Sequence, residues 1–188
     1  MAFQSFLYGS KVFKVRLINL LCISMVDLQT RLDFLRDKYE ELTNSNKLQF
    51  IDLIDTTTWR TKHIKDTPMI KKLESAGCYV IYEVENPIAP IYVGVAGKNH
   101  GVRNRINDLF FSSKSFNFYH SLTEKLIKEF GDIQKVRKFY LDKCYLKVVY
   151  VNNDSEAIAL EGFLILTLDP LRNKETLKEL DHFKNRPL

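Results

Sequence analysis

One carboxylate in this chain stands out because the sequence around it is almost entirely apolar. Glu161 is the only charged residue between Glu156 and Asp169. On a helical wheel its neighbours are all apolar and predict a buried face: Ala157, Ile158, Leu164, Ile165 and Leu168. An unpaired carboxylate there is costly, so it needs a metal ion, a cationic partner or a raised pKa. From this stretch alone, a metal site and a structural ion pair with a buried arginine explain the acid equally well.

The helix that carries Glu161 has start and stop signals in the sequence. Asp154 or Ser155 can cap its beginning with a side-chain oxygen. Asp169-Pro170 marks its end, because proline disfavours helical geometry in the residue before it. We therefore predict a helix that begins near Ser155 and ends near Asp169.

Two segments before this helix are typical of a β-hairpin. GCYVIYEV at 77–84 and IYVGVA at 91–96 are rich in β-branched and aromatic residues, and a proline-containing turn separates them. The hairpin places Tyr79 on one strand and Tyr92 on the other. Strand tyrosines most often pack in a core, so their positions alone assign them no chemistry.

A helix is predicted directly after the hairpin, at 102–110. Arg103 and Arg105 flank its inward stripe on either side, so periodicity leaves open which arginine faces a ligand. The stripe itself consists of three apolar residues: Val102, Ile106 and Leu109.

Periodic patterns elsewhere predict the elements that surround this hairpin. An amphipathic helix is expected at 27–44, and another from Tyr119 to Phe130 with Gly131 as its stop. The apolar cluster at 48–54 favours a short helix.

Three further segments complete the expected elements. Asp66-Thr67-Pro68 is typical of a helix start, and Gly77 of the residue after a helix stop. Ile133 to Leu141 fits a helix or a strand, and Cys144 to Val151 fits a strand.

Taken in order, the residues resemble the signature of the GIY-YIG nucleases. That signature is matched by Gly77-Cys78-Tyr79, Tyr92-Val93-Gly94, Arg105-Ile106, Glu161 and Asn173. The segment ALEGFLILTLDPLRN is most similar to the type II restriction-endonuclease branch, whose members carry a similar Glu helix that ends in a Pro-Leu-x-Asn turn. The resemblance covers about residues 75–175. It implies an α/β (α+β) fold, with a small, mostly antiparallel central sheet flanked by helices.

The same resemblance implies the chemistry of the site. The expected reaction is hydrolysis of a DNA phosphodiester with one divalent cation, Mg²⁺, held by Glu161. Mg²⁺ prefers one or two carboxylates and completes its shell with water and phosphate oxygens, so one Glu can suffice. Tyr79 would activate the attacking water, Tyr92 would orient water or phosphate, and Arg105 would hold the phosphate. Asn173 would fix the geometry by hydrogen bonds; without the resemblance it reads as a turn residue at a helix end.

The chain departs from the family pattern at two positions. Cys78 replaces the usual Ile, which a core strand tolerates. Leu109 stands one helical turn after Arg105, where family members commonly place a His or Tyr near the scissile phosphate. Tyr119 or His120 could supply that group from the next loop; otherwise the site is weakened.

DNA contacts are expected on the basic residues near the site. Lys98 and Arg103 join Arg105 as candidate phosphate ligands. Two other basic groups could flank the DNA or be ordinary solvated faces: Arg60, Lys62, Lys65, Lys71 and Lys72, and then Lys135, Arg137 and Lys138. The net charge of +5 and the pI near 9.0 fit a polyanion partner as well as ordinary solubilising lysines.

Cysteine and histidine usage excludes other classes of site. The three cysteines, Cys22, Cys78 and Cys144, are widely spaced and indicate reduced thiols, consistent with a cytoplasmic protein. The four histidines share no metal-ligand spacing with one another or with the cysteines, so no zinc site is expected. No segment predicts a membrane span.

Four regions are expected along the chain. Residues 1–24 are either disordered or upstream sequence translated by annotation error, with Met25 as the alternative start. Residues 25–74 form a helical extension, 75–175 the nuclease core, and 176–188 a tail that packs on the core.

The expected function is a type II restriction endonuclease that acts on double-stranded DNA, as a homodimer if the target is symmetric. The alternatives are a mobile-element or repair nuclease of the same family and a catalytically weakened nucleic-acid-binding protein.

Overall fold

The computed structural model describes residues 27–56, 73–111 and 120–173. The chain divides into two compact units, Met1–Lys38 and Tyr39–Leu188. Several sequence predictions lie outside the described residues: those for 1–24, for the helix start at Asp66-Thr67-Pro68, for the basic residues at 60–72, for Tyr119 and for the tail at 176–188.

Helix α1 spans residues 27–44, which confirms the prediction for this segment. In the first unit, Leu28 and Leu32 leave 57% and 49% of their surface exposed. In the second unit, Leu42 is buried and the Tyr39 ring contacts the Phe163 ring edge-on at 6.3 Å.

A four-stranded sheet forms the centre of the second unit. Its strands are β1 (Leu48–Gln49), β2 (Gly77–Glu83), β3 (Pro90–Ala96) and β4 (Cys144–Tyr150), in the order β1-β4-β2-β3. Every neighbouring pair is antiparallel, so the predicted α/β class with an antiparallel central sheet is confirmed. The inner strands are β4 and β2, and β3 lies at one edge.

The segment at 48–54 differs from its prediction as a short helix. Leu48 and Gln49 are extended and pair with Leu146 and Tyr145 of β4, and helix α2 covers only Phe50–Leu53. The backbone N–H and C=O groups of Leu48 and Gln49 can form hydrogen bonds with β4, which replace those that a helix would supply. Pairing with a distant strand therefore decides the local structure.

The predicted hairpin is confirmed as β2 and β3. Its register pairs Tyr79 with Gly94 and Ile81 with Tyr92. Gly77 begins β2, and a Cβ built there would lie 2.4 Å from the carbonyl oxygen of Val149. Gly77 is therefore needed for the close approach of β4, and its interpretation as the residue after a helix stop was wrong.

Helices α3 (Gly101–Phe111), α4 (Ser121–Phe130) and α5 (Ile133–Lys143) contribute to the main core cluster with the β2 side chains Tyr79 and Ile81. The segment left open between helix and strand is thus helical. The predicted α3 stripe of Val102, Ile106 and Leu109 is fully buried.

Helix α6 (Asp154–Leu168) carries Glu161 and is capped by Asn153 rather than by Asp154 or Ser155. The Asn153 side-chain oxygen accepts from the Glu156 N–H at 2.9 Å, and the Glu156 carboxylate accepts in return from the Asn152 N–H at 2.9 Å. Asp154 instead accepts a hydrogen bond from the Lys98 N–H at 2.6 Å.

The end of α6 is as predicted, but its buried face is narrower. Asp169 caps the C-terminus in the left-handed region, with φ of 45°. Ala157, Leu164 and Ile165 are buried, whereas Ile158 is 63% exposed. The wheel places Ile158 at the margin of the stripe, beyond the contact that α6 makes with the sheet. None of the helices within the described ranges is long and apolar enough to cross a membrane.

Candidate active site

A cavity of about 430 Å³ in the second unit brings together four of the five predicted catalytic residues. Its walls come from β2, β3, α3, the start of α4 and α6, which are distant in sequence. The side chains that line it are mostly polar: Tyr79, Tyr92, Val95, Arg105, Asp108, His120, Ser121 and Glu161.

Tyr79 reaches this cavity by crossing the edge strand over a glycine. The side chain is only 1% exposed and starts on the inner strand β2. A Cβ on Gly94 would lie 2.4 Å from both the ζ-carbon and the hydroxyl oxygen of Tyr79. The second glycine of the signature thus leaves the space that the phenol occupies.

The Tyr79 hydroxyl is held by His120, the residue that caps α4. Tyr79 Oη lies 2.8 Å from His120 Nε2, and His120 Nδ1 accepts a hydrogen bond from the Leu122 N–H at 3.2 Å. A neutral imidazole carries one proton, so an accepting Nδ1 places that proton on Nε2. His120 therefore donates to the Tyr79 oxygen.

Burial sets the charge state of this pair. Burial, with a smaller contribution from the nearby Arg105, lowers the pKa of His120 to about 4, so the imidazole is neutral at physiological pH. Burial also raises the pKa of Tyr79 well above its usual value; Tyr92 adds to this rise and Arg105 opposes it.

Tyr92 lies beside Tyr79 on the neighbouring strand. The two ring centroids are 6.2 Å apart, and the Tyr92 hydroxyl lies 3.5 Å from Ser121 Oγ. Burial raises the pKa of Tyr92, whereas the hydrogen bond to Ser121 lowers it. Both phenols are thus directed into one cavity, which a purely structural role in the core does not require.

Glu161 enters the cavity from α6 as a partly buried acid. Burial raises the pKa of Glu161 and the nearby Arg105 opposes part of the rise, which leaves the pKa at about 7. Among the described residues, no basic side chain makes an ion pair with this carboxylate and no donor hydrogen-bonds to it. The structural ion pair considered from the sequence is therefore not what the described residues form.

Arg105 faces the same cavity from α3. Its Nη1 lies 3.8 Å from Asp108 Oδ2, and its Nε is buried without a hydrogen-bond acceptor in the described part of the chain. The guanidinium thus keeps a donor for an incoming acceptor. Of the two arginines that flank the α3 stripe, only Arg105 lines this cavity.

Asn173 lies outside the cavity and holds its edge strand. It is 6% exposed; its Oδ1 accepts from the Val93 N–H and its Nδ2 donates to the Val93 carbonyl, both at 2.9 Å. The Arg172 N–H donates to the Ile91 carbonyl at 2.9 Å in the same turn. The turn after α6 thus fixes the part of β3 that carries Tyr92 and Gly94.

Lys98 and Arg103 lie elsewhere. They line a second cavity, beside the same helix α3, and Arg103 Nη1 is 2.8 Å from Glu74 Oε1. The structure does not bring these two side chains into the cavity of Arg105.

His120 is the main cavity residue that sequence reasoning left undecided. Leu109, which stands at the usual position of a polar group, is fully buried in the core cluster. His120 enters the cavity from the next helix instead, and Tyr119 lies outside the described residues. The helix was predicted to begin at Tyr119, but it begins at Ser121, and the His120 side chain caps it by accepting from the Leu122 N–H. No pattern in the sequence singled out Asp108 or Ser121.

Comparison with solved structures finds similar folds in one group of nucleases. The GIY-YIG N-terminal endonuclease domain of UvrC from Thermotoga maritima, bound to magnesium, is 21% identical, with 57% of this chain and 98% of that chain covered and a TM-score of 0.34. Two point mutants of that domain, bound to their catalytic divalent cation, give 24% and 26% identity, 57% and 58% of this chain and 98% of theirs, each at a TM-score of 0.34. The chain is similar to GIY-YIG nuclease domains. No protein-family model matches it, and no curated protein does. At these TM-scores each residue role rests on this chain's own geometry.

The residues at the GIY-YIG positions fit a single hard cation. Within the described ranges no cluster of three or more His, Cys, Asp or Glu side chains could hold a metal. In the cavity, Glu161 offers carboxylate oxygens that make no ion pair with a basic side chain of the described residues. Mg²⁺ accepts such a carboxylate-poor site, because water and substrate phosphate oxygens complete its shell.

Proposed function

We propose that this protein is a Mg²⁺-dependent endonuclease that hydrolyses phosphodiester bonds of double-stranded DNA, and that it is a type II restriction enzyme. The observation that supports this most is the meeting of Glu161, Arg105 and two phenols in one cavity. Four elements that are separate in sequence supply these four side chains, as is typical of an active site.

Glu161 would hold the cation, and Arg105 the phosphate. A bound Mg²⁺ supplies Lewis-acid stabilisation of charge on a phosphate oxygen. Arg105 presents planar donors to the same phosphate, and its buried Nε has no competing acceptor among the described residues. The negative charge that develops during hydrolysis is then met by fixed donors.

Tyr79 Oη would take the proton of the attacking water. Its ionised form is needed for this, and burial opposes that form. Two groups of the chain favour it: the His120 Nε2–H, which donates to Oη at 2.8 Å, and the Arg105 guanidinium. Both groups therefore oppose the rise in the pKa of the Tyr79 hydroxyl that burial causes.

Tyr92 and Asn173 would position the reacting groups. The Tyr92 hydroxyl lies 3.5 Å from Ser121 Oγ and would orient water or phosphate. Asn173 acts at a distance, since it holds the Val93 backbone between Tyr92 and Gly94.

The DNA would extend from the Arg105 cavity towards Lys98 and Arg103. Lys98 would contact a neighbouring phosphate, so affinity should fall as salt rises. Arg103, which is paired with Glu74, would face the DNA without holding a phosphate. A palindromic target would be bound by a homodimer, because a two-fold protein matches a two-fold site.

Plasmid digestion tests this proposal. Purified protein is incubated with plasmid DNA and Mg²⁺, beside Glu161→Ala and the exposed control Glu40→Ala. Discrete fragments from the wild type and the control, but not from Glu161→Ala, support a restriction enzyme. Cutting without discrete fragments would point to another nuclease role. If the DNA is bound but is not cut with any divalent metal, the protein is a nucleic-acid-binding protein and not a nuclease.

A further inference from the structure

A second cavity, of about 320 Å³, lies beside the first half of α3. Its lining is dominated by side-chain amides, those of Asn99, Asn104 and Asn107. The charged side chains around them are of both signs: Lys98, Arg103 and Glu74.

This chemistry is not that of a phosphate site. Arg103 is paired with Glu74 at 2.8 Å, which would repel an anion. The first N–H groups of α3 are also engaged, since Val102 and Arg103 donate to the Ser75 and Leu73 carbonyls at 3.2 and 2.7 Å. The start of α3 therefore has no free N–H groups at Val102 and Arg103 for an anion, and Arg103 is not an unpaired cation that would attract one.

The amide oxygens in this cavity are hydrogen-bond acceptors, which a phosphate diester cannot use. Asn107 Oδ1 is buried and has no hydrogen-bond partner among the described residues. A buried acceptor without a donor is costly, so a ligand that brings a donor is favoured. Phosphate oxygens only accept, whereas the edge of a base pair carries both donors and acceptors.

We propose that this cavity reads base edges of the DNA and sets the sequence preference of the enzyme. The inference rests on the proposed nuclease function. Asn side chains pair with adenine through its N6 and N7, and an arginine held in plane pairs with guanine through O6 and N7. Asn104 and Asn107 supply the first kind of contact. Arg103, oriented by Glu74, supplies the second.

A short chain of contacts links this cavity to the cutting site. His100 lines the second cavity, and its Nε2 lies 3.1 Å from Asp108 Oδ2; the same oxygen is 3.8 Å from Arg105 Nη1. Helix α3 has eleven residues and is about 16 Å long. With a rise of about 3.4 Å per base pair, the recognised bases lie within about five base pairs of the cut.

Sequencing of cut ends tests the inference. Random-sequence duplex DNA is digested with Mg²⁺ by the wild type, by Asn104→Ala, by Asn107→Ala and by the exposed control Asn46→Ala. The wild type and the control should share a preference within about five base pairs of the cut. At one of those positions each cavity variant should lose roughly 5- to 150-fold of its discrimination, while cutting of non-preferred DNA changes little.

Two results would overturn the inference and leave the nuclease function standing: cutting by the wild type without any preference, or unchanged preferences in both cavity variants. Uniformly weaker cutting at all sequences, with a smaller salt dependence, would show that the cavity contacts phosphate. Selection of bound duplexes with the full-length Glu161→Gln variant separates the two proposals. Suppose that binding shows a base preference, that Asn104→Ala loses it, and that the wild type cuts no DNA. The inference that this cavity reads bases would then stand, and the proposed nuclease function would be wrong.

Discussion

The hydroxyl oxygen of Tyr79 lies 2.8 Å from Nε2 of His120, and the Leu122 N–H on Nδ1 makes the imidazole the donor in that contact. A buried phenol alone is a poor base, because its ionised form is disfavoured by burial. A neutral histidine that donates to its oxygen offsets part of that cost. We propose that His120, which caps α4, stands in for the polar side chain that is absent at Leu109.

Replacing His120 should impair catalysis more than folding. His120→Ala removes the donor on Tyr79 Oη, and we expect single-turnover cutting to fall about 10²-fold, as when one donor to a developing anion is lost. The pH–rate profile should also move to higher pH, because the pKa of Tyr79 rises. His120→Gln, whose amide can still donate, should restore part of the rate.

Loss of the α4 cap is the structural alternative for His120, worth about 0.5–2 kcal/mol. Thermal unfolding measured beside the rates separates the two effects. A stability loss with an unchanged pH–rate profile would show that His120 only caps the helix.

The raised pKa of Glu161 predicts how stability depends on pH. The folded pKa of about 7 exceeds the reference value of 4.5, so the folded state holds this proton more tightly. This contribution is fully present below about pH 4.5 and is lost as pH rises through 7. Without metal, Glu161→Gln should match the wild type at pH 4.5 and be more stable at pH 8, by on the order of 1–2 kcal/mol after allowance for partial exposure.

Chemical denaturation at the two pH values, in a chelator, measures this difference. Glu40→Gln provides the control for an exposed acid. An equal effect of Glu161→Gln at both pH values would show that the Glu161 carboxyl is not perturbed.

Gly94 should tolerate no side chain. In Gly94→Ala the Cβ would meet the Tyr79 ring tip at 2.4 Å, so the phenol or the edge strand must shift. We expect a loss of about 1–3 kcal/mol of stability and a large loss of cutting. Gly162→Ala is the matched control, since its Cβ has nothing within 4 Å and a helical Ala is favoured by about 0.4–1 kcal/mol. Comparable activity of the two variants would refute the proposed path of Tyr79.

Asn173 should act through the strand that it holds. Asn173→Ala leaves the buried Val93 N–H and carbonyl without their partners, at a cost of about 2–3 kcal/mol. Asn173→Asp keeps the acceptor for the N–H but sets a second oxygen against the carbonyl, so it should be no better at neutral pH and recover at low pH, where the carboxyl can donate. Urea unfolding across pH tests this; identical stability of both variants with the wild type would contradict it.

Tyr79, Tyr92, Arg105 and Glu161 were predicted through the resemblance to the GIY-YIG signature, and the predicted hairpin and helices carry them as expected. Periodicity alone left Arg103 and Arg105 open and assigned the two tyrosines no chemistry. His120 was undecided because its approach to Tyr79 depends on how α4 packs, which no local pattern encodes. The cap of α6 was misassigned for a similar reason: three cap-forming residues follow one another, and the Lys98 N–H engages Asp154 and leaves Asn153 as the cap.

The strand at Leu48–Gln49 was missed for the same physical reason. Two residues cannot show a period, and their extended form depends on β4 as a partner more than ninety residues later. The exposure of Ile158 likewise reflects where α6 meets the sheet, which a helical wheel leaves open.

The central claim is that Glu161 holds the one cation around which Arg105, Tyr79 and Tyr92 act on DNA. Its most direct test is the single-turnover rate of Mg²⁺-dependent DNA cutting by the wild type and by Glu161→Gln, which keeps the shape of the side chain and removes its charge. We predict a fall of about 10³-fold or more for Glu161→Gln and no change for Glu40→Gln. Equal cutting rates for the wild type and Glu161→Gln would contradict the account.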